Sequence, residues 1–120
     1  MRFDRFTVSL LILQPDAPKL DEAAASRLQD AHMAELADAH DAGLLLAAGP
    51  LLGPEERTLR GLSIWNADPE RARVLAERNP GVVEGRFRID VLPWLVPAGA
   101  MIFHRTRLPR SMAEAESSDQ

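Results

Sequence analysis

The chain has 120 residues, 46% hydrophobic and 27% charged, with 18 acidic against 14 basic side chains and a net charge of −4. That length holds one domain, and that composition excludes disorder over most of it. The charge balance gives no reason to expect nucleic-acid binding, and the absence of cysteine excludes disulfides, thiolate catalysis and cysteine-ligated zinc.

The chain opens on a basic start and an apolar run, a combination that also has a signal-peptide reading. The apolar stretch is short, Asp4 and Arg5 precede it, and no small-residue cleavage pattern follows before Pro15. A membrane span would need about 20 apolar residues. The segment Phe6 to Leu13, stopped by Gln14-Pro15-Asp16-Ala17-Pro18, is therefore predicted as a buried first strand. The missing cysteine fits a cytoplasmic protein and does not exclude a periplasmic one.

From Asp21 to Ala42 every residue is a tolerated or strong helix former, without Pro or Gly. Leu20, Ala24, Leu28, Ala31, Leu36 and Ala39 recur at helical spacing, and Gly43 is a natural stop. Leu44 to Ala48 is an apolar strand closed by Gly49-Pro50. Residues 52–57 read as a hairpin loop, and Leu59 to Trp65 as a third strand. Asp68 can cap a second helix with Pro69 in its first turn, running to about Arg78, where Asn79-Pro80-Gly81 ends it. In the last strand, Gly85 to Leu92, Phe87, Ile89 and Val91 alternate with Arg86, Arg88 and Asp90, so one face is buried and the other meets solvent or a partner. Pro93-Trp94 closes it. Residues 98–120 form a C-terminal extension in which Ala100 to Phe103 can add an edge strand and Ser111 to Gln120 is expected to be disordered.

The order β-α-β-β-α-β is the ferredoxin-like pattern, an α+β fold with a four-stranded antiparallel sheet and two helices on one face. That arrangement leaves the other sheet face bare, so a homodimer or a higher oligomer is expected to cover it.

Three histidines are candidates for chemistry. His32 lies one turn from both Leu28 and Leu36, on or beside the buried stripe. Its structural reading is a core-edge histidine bonded to a backbone group or carboxylate; its functional reading is a general acid or base near neutral pH. His40 near the helix C-terminus suits the helix dipole. His32 and His40 are two turns apart, about 12 Å along the axis, too far to share a metal. No metal and no cofactor are expected: there is no P-loop and no nucleophile elbow among the seven isolated glycines. The arginines of Gly85-Arg86-Phe87-Arg88 can meet an anion, but read first as a solvated strand face.

Several segments in order carry a resemblance. His32, then Gly43-Leu44-Leu45-Leu46-Ala47-Ala48-Gly49-Pro50, is similar to a helix histidine followed by G-x-L-L-x-A-G-P in the YCII-related family. Arg60-Gly61-Leu62-Ser63-Ile64, the segment from Asn79-Pro80 to Gly85, and Val91-Leu92-Pro93-Trp94 resemble later pieces of that pattern, over residues 6–97 together. The resemblance implies a dimeric α+β domain within a superfamily that includes isomerase-like proteins and a dehydrochlorinase. It implies a site centred on His32 and on position 79, where the pattern has an aspartate and this chain has Asn79. Asparagine keeps the shape and one acceptor but cannot accept a proton or hold an imidazolium by charge. The expected site set is then His32 and Asn79, with Pro80, Glu84 and Asp41 beside the ligand and either carboxylate as substitute partner for His32. Two functions follow: a lyase or isomerase acting on a small organic molecule, or a non-catalytic small-ligand or accessory module.

Overall fold

The computed structural model describes residues 1–117. Four strands, β1 (Phe3–Leu13), β2 (Leu45–Pro50), β3 (Leu59–Trp65) and β4 (Phe87–Pro97), form one antiparallel sheet in the order β2-β3-β1-β4. Helix α1 (Glu22–Asp41) joins β1 to β2, and α2 (Pro69–Ala76) with the short α3 (Pro80–Val83) joins β3 to β4. This is the ferredoxin-like α+β arrangement that the element order predicts.

Local chemistry explains the boundaries. The Asp21 carboxylate accepts the Ala24 N–H at 2.7 Å to start α1, and Gly43 at φ +79° turns the chain out of it, a conformation that costs glycine little. Asp68 caps α2 through the Arg71 N–H at 2.8 Å, with Pro69 in the first turn. Asn79 ends that run in an unexpected way: its side-chain oxygen accepts the Gly81 N–H at 2.8 Å and caps α3.

Registers assign the faces. Thr7, Ser9 and Leu11 of β1 stand opposite Trp65, Ser63 and Gly61 of β3 and opposite Pro93, Val91 and Ile89 of β4. This is the helix-bearing side, and Leu45, Trp65, Ala72, Ala76 and Ile89 form the buried cluster there. Two polar side chains are buried within it and both are satisfied: Thr7 Oγ1 donates to the Ala67 carbonyl at 2.6 Å, and Trp65 Nε1 donates to Ser9 Oγ at 2.8 Å.

Several elements differ from expectation. β4 runs through Pro93 to Pro97, because β4 is an edge strand with a neighbour on one side only, where a missing N–H is tolerated. Ala31 faces solvent, and Ala37 and His40 are the buried residues of α1. Ala100–Phe103 forms no strand; Phe103 instead packs edge-on against Phe6 on the outer sheet face, centroids 5.3 Å apart. The stretch expected to be disordered carries α4 (Met112–Glu116), capped by Ser111 through the Glu114 N–H at 3.1 Å and tied to α1 by the Met112 N–H on Asp30 at 2.8 Å. Residues 118–120 of that stretch lie outside the described residues. Among the described residues no helix is long and apolar enough to cross a membrane.

Candidate functional site

Between α1 and the inner sheet face lies a cavity of about 720 Å³. Its floor is sheet, including Ser9, Ser63 and Trp65, and one wall is α1 with His32 and Met33. The C-terminal extension adds Leu108, Pro109 and Met112. That wall is clipped in place by His40, whose Nδ1 hydrogen donates to the Leu45 carbonyl at 2.8 Å while Nε2 accepts the Thr106 N–H at 3.1 Å. These two bonds fix the tautomer of the ring. His40 is therefore a structural clamp, and not the dipole-facing surface group its position in the sequence suggests.

His32 sits midway along α1. Its Nδ1 is sealed from solvent and has no hydrogen-bond partner among the described residues. Burial pushes its pKa below the ordinary value of 6.5, so the ring is neutral at pH 7. The bonded core-edge reading of His32 thus lacks its bond. A buried polar atom left unpaired costs about 1–3 kcal/mol, and native structures keep few of them. With Nδ1 sealed, Nε2 is the ring nitrogen left to meet a molecule in the cavity.

Asn79 lines the same cavity and is buried, but its side-chain oxygen is engaged by the α3 cap and it makes no bond to His32. Gly81 beside it is held by space: a Cβ there would stand 2.5 Å from the Phe87 ring and 3.2 Å from the Asn79 side-chain oxygen. Pro80, Glu84 and Asp41 are not among the cavity-lining residues. Glu84 is exposed after α3, and Asp41 is exposed at the end of α1 with its carbonyl held by Arg105. The structure therefore brings together His32 and Asn79 and leaves the two proposed substitute carboxylates outside.

Compared with known proteins, the chain matches no family model and no curated sequence. One solved structure it is similar to is 5-chloro-2-hydroxyhydroquinone dehydrochlorinase from Burkholderia phenoliruptrix, in complex with 2,5-dihydroxybenzoquinone. The match has a TM-score of 0.51 and 19% identity, covering 74% of this chain and 92% of that one. At that identity the likeness is one of fold.

Three arginines, Arg57, Arg60 and Arg86, are partly buried and line the cavity; the sequence does not single out Arg57 or Arg60, and it offers Arg86 to an anion only as second choice to a solvated strand face. Strand alternation would send Arg86 outward with Arg88. Gly85 at φ +78° and the bond from the Arg86 N–H to the Gly81 carbonyl at 2.8 Å put Arg86 in a turn before β4 begins, so the alternation does not reach it. Arg88 does point outward, paired with Asp90.

Proposed function

We propose that the chain is an enzyme of the lyase or isomerase type, similar to YCII-related proteins, in which His32 moves a proton on a small organic molecule held between α1 and the sheet. The observation that carries this reading is the neutral His32 with its sealed, unpartnered Nδ1 in the wall of a cavity large enough for a ring-sized ligand. Nε2 would take a proton from a carbon made acidic by a neighbouring carbonyl. The electron pair left behind either expels a leaving group and forms a double bond, the proton on His32 then passing to the departing group or to water, or takes that proton back from His32 at another atom; by either route His32 ends neutral. The dehydrochlorinase of similar fold holds a dihydroxyquinone, a molecule that this cavity has the volume to hold.

The functional unit in this reading is a homodimer. Leu92 and Trp94 stand on the outer sheet face at 47% and 38% exposure, beyond the part that Phe103 covers, and a second sheet would bury them.

A second reading, a ligand-binding or accessory module, is favoured by Asn79: no carboxylate orients His32, and loss of such a partner costs orders of magnitude in triad enzymes. The two separate in one experiment. A panel of hydroxyquinones, lactones and small carboxylic acids is incubated in D2O with wild type, His32→Ala and Asn79→Asp, and carbon-bound deuterium and product are followed by NMR. The enzyme reading expects exchange or turnover that His32→Ala abolishes with the fold intact. Binding without turnover in wild type and in Asn79→Asp favours the module. Turnover unaffected by His32→Ala overturns the proposed role of His32.

A further inference from the structure

Arg57, Arg60 and Arg86 converge where β1 ends and where β3 and β4 begin. The Leu13 N–H bonds the Thr58 carbonyl at 2.8 Å and the Gln14 N–H bonds the Arg86 carbonyl at 2.9 Å, which ties the three segments together. The guanidinium groups are held by backbone carbonyls. Arg57 bonds Leu51 and Pro54 at 2.7 and 2.9 Å, Arg60 bonds Arg57 and Glu55 at 2.7 and 2.6 Å, and Arg86 bonds Pro18 at 3.1 Å. Among the described residues none of the three forms an ion pair with a carboxylate, whereas Arg73, Arg88, Arg107 and Arg110 each do.

Three like charges held together work against one another. The Arg60 guanidinium is pushed down first by burial and then by the charges of Arg57 and Arg86, with the Glu55 carboxylate opposing more weakly. Of the carboxylates that line the cavity from α1, Glu35 and Asp38, neither pairs with these arginines, and Asp38 is taken by Arg110 at 2.8 Å. Each arginine keeps N–H groups beyond those used on carbonyls, in the planar fork that suits an oxyanion.

We propose that this end of the cavity binds the oxyanion of a small organic ligand, a carboxylate or an ionised enol, through Arg57, Arg60 and Arg86. The rest of the ligand then extends along the inner sheet face toward His32. The inference rests on the cavity being the ligand site, and it adds the ligand's charge. It also gives the arginines a part in any reaction there: positive charge at a ligand oxygen stabilises the negative charge that appears when a neighbouring carbon loses its proton.

The test titrates benzoate, its neutral isostere benzamide and inorganic phosphate into the full chain, followed by NMR of Met33 and Trp65. Wild type is expected to bind benzoate about ten-fold or more tightly than benzamide. Arg86→Gln, which removes a single carbonyl bond, and Arg60→Gln should each lower that ratio several-fold, and Arg60→Lys should keep part of it. If Arg60→Gln disturbs the loop it holds, Arg86→Gln alone decides. Equal affinity for benzoate and benzamide, or a ratio that Arg86→Gln leaves unchanged, overturns the anion inference and leaves the cavity reading standing. Phosphate binding as tightly as benzoate overturns the organic part of it. Failure of both benzoate and benzamide to move Met33 or Trp65 overturns the cavity reading as well.

Discussion

Replacing His40 by leucine removes two hydrogen bonds at nearly constant volume, so the loss can be read as polar. The Leu45 carbonyl it abandons belongs to a residue only 1% exposed, and water cannot replace the imidazole there. An unmade bond at such an acceptor costs about 1–3 kcal/mol. Thr106 is exposed, so its N–H rehydrates and adds little. The expected loss is therefore about 1–3 kcal/mol, or roughly 4–15 °C in melting temperature for a domain of this size. Thermal and urea unfolding measure it, and amide exchange at Thr106 should accelerate because its acceptor is gone. Unfolding within about 0.5 kcal/mol of wild type, with Thr106 exchange unchanged, would refute the clamp, since that is the range of a neutral surface substitution.

His32 sets a pH dependence of the opposite kind from a paired histidine. Its folded pKa is depressed, so below 6.5 the unfolded chain takes up a proton that the folded chain refuses. Stability should fall as the pH drops from 6.5 toward the folded pKa and level off below it; comparing unfolding of wild type and His32→Gln across that window isolates the effect, and parallel curves would discount it. Gly81→Ala should displace the Phe87 ring and loosen the Asn79 cap, costing about 1–3 kcal/mol less the gain in helix propensity, and ligand titration should show weaker binding. Thr7→Val leaves the Ala67 carbonyl without its 2.6 Å partner in a buried site, and should lower the urea midpoint by about 1–2 kcal/mol of stability with an unchanged slope.

Much of the architecture is legible from local chemistry. Apolar runs between breakers give β1, β2 and β3, and an Asp cap with a glycine stop bounds α1, because each signal is decided within a few residues. The continuation of β4 through Pro93 is not legible, since tolerance of proline depends on the strand lying at a sheet edge. The tail shows a misread signal: Ser111-Met112-Ala113-Glu114 has the Ser-x-x-Glu spacing of a capping box, which polar composition obscured. His32 and Asn79 stand out by residue type and position. Arg57 and Arg60 do not, and Arg86 reads first as part of a solvated strand face, because the three are brought together by β1 and the strand ends, and a left-handed glycine redirects Arg86. Asp41 and Glu84 attract attention as carboxylates near the right segments, yet helix phase and the α3 turn leave both in solvent.

The central claim is that a neutral His32 faces a ligand bound between α1 and the sheet. Its most direct test is the imidazole spectrum of isotope-labelled histidine, recorded as the tightest binder of the hydroxyquinone, lactone and acid panel is added. The account predicts a His32 midpoint below 6.5 in the free protein and a His32 signal that moves to saturation with the ligand, while His104 stays still. A His32 that titrates at or above 6.5, or that no panel member moves, would contradict it.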